Sequence, residues 1–498
     1  MEQFSQSMQW ALAGVLVAYM SVMYVVGYLA QRQINDVEDY LVAGRNLSGT
    51  LACVTIVATW FGAESLMTAT DEVSQLGIRR AMMDPVGISV CLLIAGLCVA
   101  RPLWRMNLLT VPDFFLKRYG KSAEILASLI LVPSYFGWVA AQFVALATIL
   151  CQCTPIDFEF AVIAIAILGT GYAIMGGMWS ITWTDVIQMV FIVAGLIVLG
   201  YEIIDYLGRG DLLAGIHTLR SGPSESHWQI ASAPNFSRDI MLALSALAIG
   251  ALGNLPVQDL LQRIQSAKSE RVAQRACLAA AVVYFTMGLM PVGAGLAAAL
   301  ILPTVPEAGV VTALAQQLLS PALLLLFMLA IVSTVLSTIV SAVMAPAAIV
   351  AHNLIEPAVN RFFGALLRHQ QLTLQRCCVV GITVASTLLA LSGARAYELV
   401  QASYAMSLVG LCVPFLFGLY YATPNPMAAI AAILAGTVSW ALHVLLSWDD
   451  FLQPYVADPF RVPHALVDTL FSAAAFALLN SFGGRESADS STTQSATG

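Results

Sequence analysis

Charge is what this chain most lacks. Of its 498 residues, 10% are Asp, Glu, Lys or Arg and 59% are hydrophobic, where a soluble domain is roughly a quarter charged. So little charge cannot cover a water-soluble fold of this length, which excludes a soluble enzyme or binding module. No hydrophilic stretch is long enough for a kinase, nucleotide-binding or DNA-binding domain, and no basic run offers itself to nucleic acid. The nine cysteines are scattered. Cys151 and Cys153 form C-x-C and Cys377–Cys378 are adjacent, but neither pair has a His or a second Cys pair at zinc spacing. They read as small buried apolar residues. The six histidines are dispersed and receive no role.

What the chain does have is long apolar runs. A spanning helix needs about 20 apolar residues, and hydropathy marks thirteen such segments between residues 10 and 482. The expected fold is therefore all-α and polytopic, with the lipid bilayer as its solvent. The first run, Trp10–Leu29, is too long for a signal-peptide core and has no Lys or Arg before it, so it reads as a retained helix. Residues 1–482 form one membrane domain, and 483–498, Ser/Thr-rich from Glu486, read as a disordered cytoplasmic tail. With the N-terminus outside, 15 Lys and Arg fall on inner loops and 7 on outer ones, as the positive-inside rule asks. Arg79–Arg80 is the main violation.

Two spans carry interruptions at bilayer depth. The second holds Thr59-Trp60-Phe61-Gly62-Ala63-Glu64-Ser65, and the seventh holds Gly250, Gly253, Asn254 and Pro256. They lie five spans apart, as the openings of an inverted five-plus-five repeat over about 47–205 and 238–421. Paired interrupted helices point to a transporter's midplane site.

Chemistry collects around these breaks. Glu64 sits among apolar neighbours on both sides, and a carboxylate there costs several kcal/mol on insertion scales, so it must face a cavity, a cation or a partner. Ser65 follows it, and Asp84 adds a second acid at the start of the third span. The ninth span carries a hydroxyl stripe, Ser333, Thr334, Ser337, Thr338 and Ser341. Ala330, Ser333, Thr334 and Ser337 share one face. A hard cation wants oxygen ligands, which two hydroxyls and the carbonyls freed by a helix break would supply. Asp185, after Trp183-Thr184, either favours the helix dipole or guards an inner exit for a cation. Gln258-Asp259-Leu260-Leu261-Gln262-Arg263 reads as an anchoring segment with an i, i+4 pair. Trp60 and Trp138 can hold an ammonium by cation–π attraction worth up to about 2 kcal/mol when desolvated.

These motifs, in this order, resemble the sodium:solute symporter family. The residues that carry the likeness are Asp39-Tyr40-Leu41-Val42-Ala43-Gly44-Arg45, Ala58-Thr59-Trp60-Phe61-Gly62-Ala63-Glu64-Ser65, and Gly176-Gly177 with Trp183-Thr184-Asp185-Val186-Ile187-Gln188. Gly253-Asn254-Leu255-Pro256-Val257-Gln258-Asp259 with Gln262-Arg263, and Ala330 with Ser333-Thr334, complete the set. The resemblance implies a leucine-transporter-type core from spans 2 to 11 with extra flanking helices, an integral protein of a bacterial inner membrane, and no cofactor beyond a coupling sodium ion. It implies a sodium site made by the backbone carbonyls of Ala58, Phe61 and Ala330 and the hydroxyls of Ser333 and Thr334, with Asp185 on the ion's exit path. The candidate solute site takes in Trp60, Glu64, Ser65, Asp84, Trp138, Gly250, Gly253, Asn254 and Gln401, of which Trp60, Glu64, Trp138 and Gln401 match family solute positions. The aromatic cage of the choline branch is half present, since two of its positions are Val257 and Gln401. The family's Pro-Gly after the broken helix is Thr70-Asp71 here.

The expected activity is sodium-coupled symport of a small organic solute, possessing an amine, by alternating access. Two alternatives stay open at this level. One is a solute sensor of transporter fold that signals to a partner; the other couples transport to protons through Glu64 or Asp185.

Overall fold

The computed structural model describes residues 6–231, 235–393, 395–453, 455 and 462–494, with backbone alone at 152–153, 172, 396 and 482–494. Among these residues the structure is helical, with two isolated β-bridges and no strand ladder. That is what the bilayer requires, because a helix satisfies its own backbone groups where water is absent.

We number the principal helices along the chain. α1 is Gln6–Ala30, α2 Gly49–Trp60, α3 Glu64–Leu76 and α4 Ile78–Arg105. α5 is Val111–Tyr119, α6 Lys121–Cys153 and α7 Phe158–Gly208. α8 is Phe236–Leu252, α9 Gln258–Ser266, α10 Glu270–Ile301 and α11 Pro321–Ile349. α12 is Arg368–Ala390, α13 Tyr397–Tyr420, α14 Pro426–Leu445 and α15 His464–Gln494. The backbone of α15 thus runs through residues 483–494 of the expected tail, and 495–498 lie outside the described residues.

Among the described residues nine helices are long and apolar enough to cross a membrane, and the bent pair α2–α3 makes a tenth. The other expected spans take different forms. The fifth is the first part of α7, which kinks where Gly177 takes φ 50° and ψ −152°. A side chain there would meet the Tyr40 carbonyl at 2.5 Å. The seventh is α8 and α9, a 17-residue apolar helix followed by a polar one. The thirteenth is the start of α15.

α2 begins on the Ser48 side chain, which caps Leu51 N, and ends as Phe61 leaves helical geometry at φ −80° and ψ 76°. The axis turns by 62° into α3. α11 lies at the centre, with every residue from Ala330 to Ile349 buried. A helix apolar on all faces belongs in an interior, so its five hydroxyls must bond within the protein. α1 does the opposite and exposes Trp10, Val17, Val22 and Val25, the surface expected against lipid.

Candidate functional site

The α2–α3 break faces α11. α2 ends too early to satisfy its last carbonyls, and α11 supplies hydroxyls to them. Ser337 Oγ donates to the Ala58 carbonyl at 2.8 Å and lies 2.9 Å from the Thr334 carbonyl. Thr338 Oγ1 donates to the Thr59 carbonyl at 3.0 Å and lies 3.2 Å from the same Thr334 oxygen. Gly62 makes this approach possible, since a Cβ there would meet Thr338 Oγ1 and Glu64 Oε2 at 2.7 Å each.

The hydroxyls that reach the break are therefore one helical turn beyond the expected pair. Ser333 Oγ donates instead to the Tyr19 hydroxyl at 2.8 Å, and Thr334 Oγ1 returns to the Ala330 carbonyl of its own helix at 2.8 Å. Ala330 packs on α7, where a Cβ on Gly195 would come within 2.4 Å of its methyl. All five hydroxyls lie along one buried helix, and residues a turn apart share a face, so spacing alone does not choose between them.

Two buried carboxylates lie just beyond the break. Glu64 accepts from Trp138 Nε1 at 2.9 Å, Gln142 Nε2 at 2.5 Å and the Tyr404 hydroxyl at 3.3 Å. Gln142 also fixes the break itself, its Oε1 accepting from Ala63 N at 2.9 Å. Asp84 accepts from Ser65 Oγ at 2.7 Å, and the Tyr284 hydroxyl lies 3.1 Å from both of its oxygens. Tyr284 is also 3.0 Å from the Trp60 carbonyl. Among the described residues no Lys or Arg pairs with Glu64 or Asp84.

α9 is not the anchoring segment that its polarity suggested. Every one of its residues is buried. Asp259 accepts from Trp60 Nε1 and from the Tyr135 hydroxyl. Arg263 donates to Ser341 Oγ at 2.6 Å and to the Asp259 backbone carbonyl at 3.3 Å, so it reaches the main chain of Asp259 where a side-chain pair was expected. Deeper on this side Asp185 is fully buried and accepts from Thr55 Oγ1 at 2.5 Å. Its Oδ1 and both ends of the Gln262 amide make no hydrogen bond.

At the opposite end a cavity of about 700 Å³ is lined by Asp71, Glu72, Arg80, Glu307, Glu398 and Gln401, among others. Below it a space of about 10 Å³ touches Glu64 and Asp84, room for no more than about one water. Arg80, Glu72 and Tyr397 line both spaces. Arg80 Nε is 3.2 Å from Glu72 Oε2, its Nη1 donates to the Tyr397 hydroxyl at 3.0 Å, and the guanidinium lies 5.2 Å from that ring's centre. Arg79 pairs with Asp239 at 2.5 Å. The two arginines that break the positive-inside count are thus matched by acids.

Comparison with known proteins identifies the arrangement. The profile of the sodium:solute symporter family matches residues 40–436. The chain belongs to the sodium:solute symporter family. The high affinity choline transporter 1 of Homo sapiens is 24% identical over 95% of this chain and 83% of its own length. The sodium/glucose cotransporter of Vibrio parahaemolyticus is 22% identical over 86% of this chain and 84% of its own. Among solved structures, a Na+-coupled sialic acid symporter superposes with a TM-score of 0.78 at 16% identity, covering 95% of this chain and 98% of that one. Mhp1, a nucleobase-cation-symport-1 family transporter, does so at 0.54 and 14%, covering 88% and 94%. The leucine-transporter-type fold that the family resemblance implied is shared with these neighbours, and this symporter is an integral membrane protein.

The structure brings Glu64, Ser65, Asp84 and Trp138 together. It sends the Trp60 indole N–H to Asp259 and leaves Gln401 exposed in the 700 Å³ cavity. Gly250 and Gly253 act by size: a Cβ on them would strike the Met83 and Tyr404 carbonyls at 2.3 and 2.5 Å. Asn254 closes its own break by donating to the Gly250 carbonyl at 3.0 Å. Sequence reasoning missed Tyr135, Gln142, Tyr284 and Tyr404. Tyr135, Trp138 and Gln142 stand at i, i+3 and i+7 on α6, a spacing that signals one shared face.

Proposed function

We propose that this symporter carries a small solute bearing a positively charged group, together with sodium, by alternating access. The observation that supports this most is the pair Glu64 and Asp84, buried at the midplane and ringed by indole, phenol and hydroxyl groups. A buried carboxylate without a counter-charge is costly. An ammonium arriving beside Trp138 and Tyr404 offsets that cost by charge and by cation–π attraction. Quaternary amines and amino acids belong to this class, and the human relative is named a choline transporter. Proton coupling through the same acids is the second reading, since a proton neutralises a carboxylate equally well.

For the ion we infer a shell of neutral oxygens: the Ala58, Phe61 and Thr334 carbonyls with the Ser337 and Thr338 hydroxyls. The contacts across the break support this set, because a cation there takes the lone pairs that now face hydroxyl hydrogens. Sodium would tie the α2–α3 break to α11 and ready the site for solute. Solute binding then draws Arg80 and Tyr397 shut, and the path past Asp185 opens. We place the 700 Å³ vestibule on the outer side of a bacterial inner membrane, with the N-terminus outside and the C-terminus in the cytoplasm. The driving force is sufficient. A 100 mV potential supplies about 2.3 kcal/mol per charge, and a tenfold sodium gradient adds about 1.4 kcal/mol.

The test is uptake by the purified chain in proteoliposomes. A sodium gradient should drive accumulation, and potassium in its place should abolish it at fixed pH. Uptake that persists in potassium with a proton gradient supports the proton reading. Competition by quaternary amines or amino acids is expected; competition by uncharged sugars or anions alone would overturn the choice of solute. Transport without any partner protein counts against a purely sensory role.

A further inference from the structure

Two of the six histidines meet in space. His443 ends α14 and His464 opens α15, and the two rings stack with centres 5.3 Å apart and 13° between planes. Beside the two rings, Phe451 N donates to the Val462 carbonyl at 2.8 Å and His464 N to the Asp449 carbonyl at 3.3 Å. Asp468, one helical turn into α15, has a fully buried side chain. His443 Nδ1 lies 3.2 Å from its Oδ1 and His464 Nδ1 lies 3.0 Å from its Oδ2. Ser439 Oγ donates to Oδ1 at 2.5 Å, and the Ser439 carbonyl is 2.8 Å from His443 Nδ1.

We propose that His443, His464 and Asp468 form a binding site for a divalent cation of the zinc class that clamps α14 to α15. Three features carry this. The ligand atoms of all three residues lie within 4.8 Å of one another. Zinc–nitrogen and zinc–oxygen bonds of about 2.0–2.1 Å in a tetrahedron place ligand atoms about 3.4 Å apart, close to the 3.2 and 3.0 Å between each imidazole Nδ1 and the Asp468 carboxylate. Two imidazoles and a carboxylate suit zinc, and three protein ligands leave a fourth position open. Finally, the site has an entrance. His464 is partly exposed and lines a cavity of about 430 Å³ with Asp449 and Asp450. That cavity shares Arg80, Tyr397, Glu398 and Gln401 with the vestibule, so the metal enters from the vestibule end. Phe451 and Trp448 close the other side of His443, with ring centres at 5.8 and 6.1 Å.

The proton balance is simple. Without metal, His443 Nδ1–H serves the Ser439 carbonyl and Asp468. To ligate through Nδ1 a ring must carry its proton on Nε2 or release it.

The experiment uses the full chain, chelator-treated, free of any affinity tag, in detergent, titrated with zinc chloride at pH 7.5 by calorimetry. Wild type should take up one zinc per chain more than the His443→Gln/His464→Gln double variant. Thermal unfolding should shift upward with zinc in wild type, not in His464→Gln, and chelator should reverse the shift. Equal zinc uptake by wild type and double variant overturns the proposal. Wild type alone supplies a second arm, independent of variant folding. Its zinc-edge X-ray absorption should show nitrogen and oxygen neighbours, and a shell containing sulfur would assign the metal to cysteines and end the proposal.

Discussion

At the scale of single residues the contrast is between two Ser–Thr pairs one turn apart. Ser337 and Thr338 reach the carbonyls of α2, while Ser333 and Thr334 turn to Tyr19 and to their own helix. Ser337→Ala and Thr338→Ala should each raise the sodium concentration for half-maximal uptake by roughly tenfold, the worth of about 1.4 kcal/mol in one ligand. Ser333→Ala should stay within about twofold. Sodium-titrated uptake decides it, and the reverse ranking would restore the earlier register. Glu64→Gln keeps the shape and the contact to Trp138 but removes the charge. A cationic solute should then bind at least about tenfold more weakly, read by direct binding at saturating sodium, whereas a neutral solute would be little affected. The stripe of hydroxyls, the lone Glu64 and the indoles were legible in the sequence. Tyr135, Tyr284 and Tyr404 were not, because a tyrosine in an apolar run has no special cost until its hydroxyl is seen to face a carboxylate.

At the scale of elements the α2–α3 break is held open by absence of a side chain. Gly62→Ala puts a methyl where Glu64 Oε2 and Thr338 Oγ1 already stand at 2.7 Å. It should impair sodium and solute binding together, whereas Gly14→Ala, with nothing within 4 Å, should change neither. Parallel binding assays on the two variants test this. The Arg80–Tyr397–Glu72 contact lies between vestibule and acids, so Arg80→Gln should speed solute release toward the vestibule. A chase with unlabelled solute, showing unchanged release, would remove the gate.

α5 shows a different kind of tie. Asp113 caps it with Thr110, accepts from Asn353 Nδ2 at 2.9 Å and lies 3.5 Å from His352 Nε2. Burial alone would raise its pKa, but the His352 bond and charge, with Asn353 and the Thr110 amide, outweigh burial and lower it to about 2. A lowered carboxylate adds stability above its unfolded value and loses it as pH falls toward the folded value. Between pH 4 and 2 wild type should therefore lose about 2 kcal/mol that Asp113→Asn lacks throughout. Acid unfolding followed in both proteins measures the difference.

At the scale of the whole molecule the proposed route runs from the vestibule past Glu64 and Asp84 toward Asp185. Coupling then becomes a question of charge moved. A cationic solute adds its own charge to that of the sodium, so accumulation should rise with potential more steeply than for a neutral analogue, by about 2.3 kcal/mol per 100 mV. Accumulation at several imposed potentials gives the slope, and equal slopes would argue for a neutral cargo.

The sequence by itself determined the membrane as solvent, the helices, the two breaks and the family, because these follow from local apolar length, from glycine and proline, and from motif order. Only the tertiary structure decided which turn of α11 meets the broken helix, that polar α9 is buried against Trp60 and Tyr135, and that His443 and His464 share one carboxylate. Each of these depends on how helices rotate and pack against one another. A helical face repeats every turn, so a pattern along one chain segment does not fix which turn a distant segment touches.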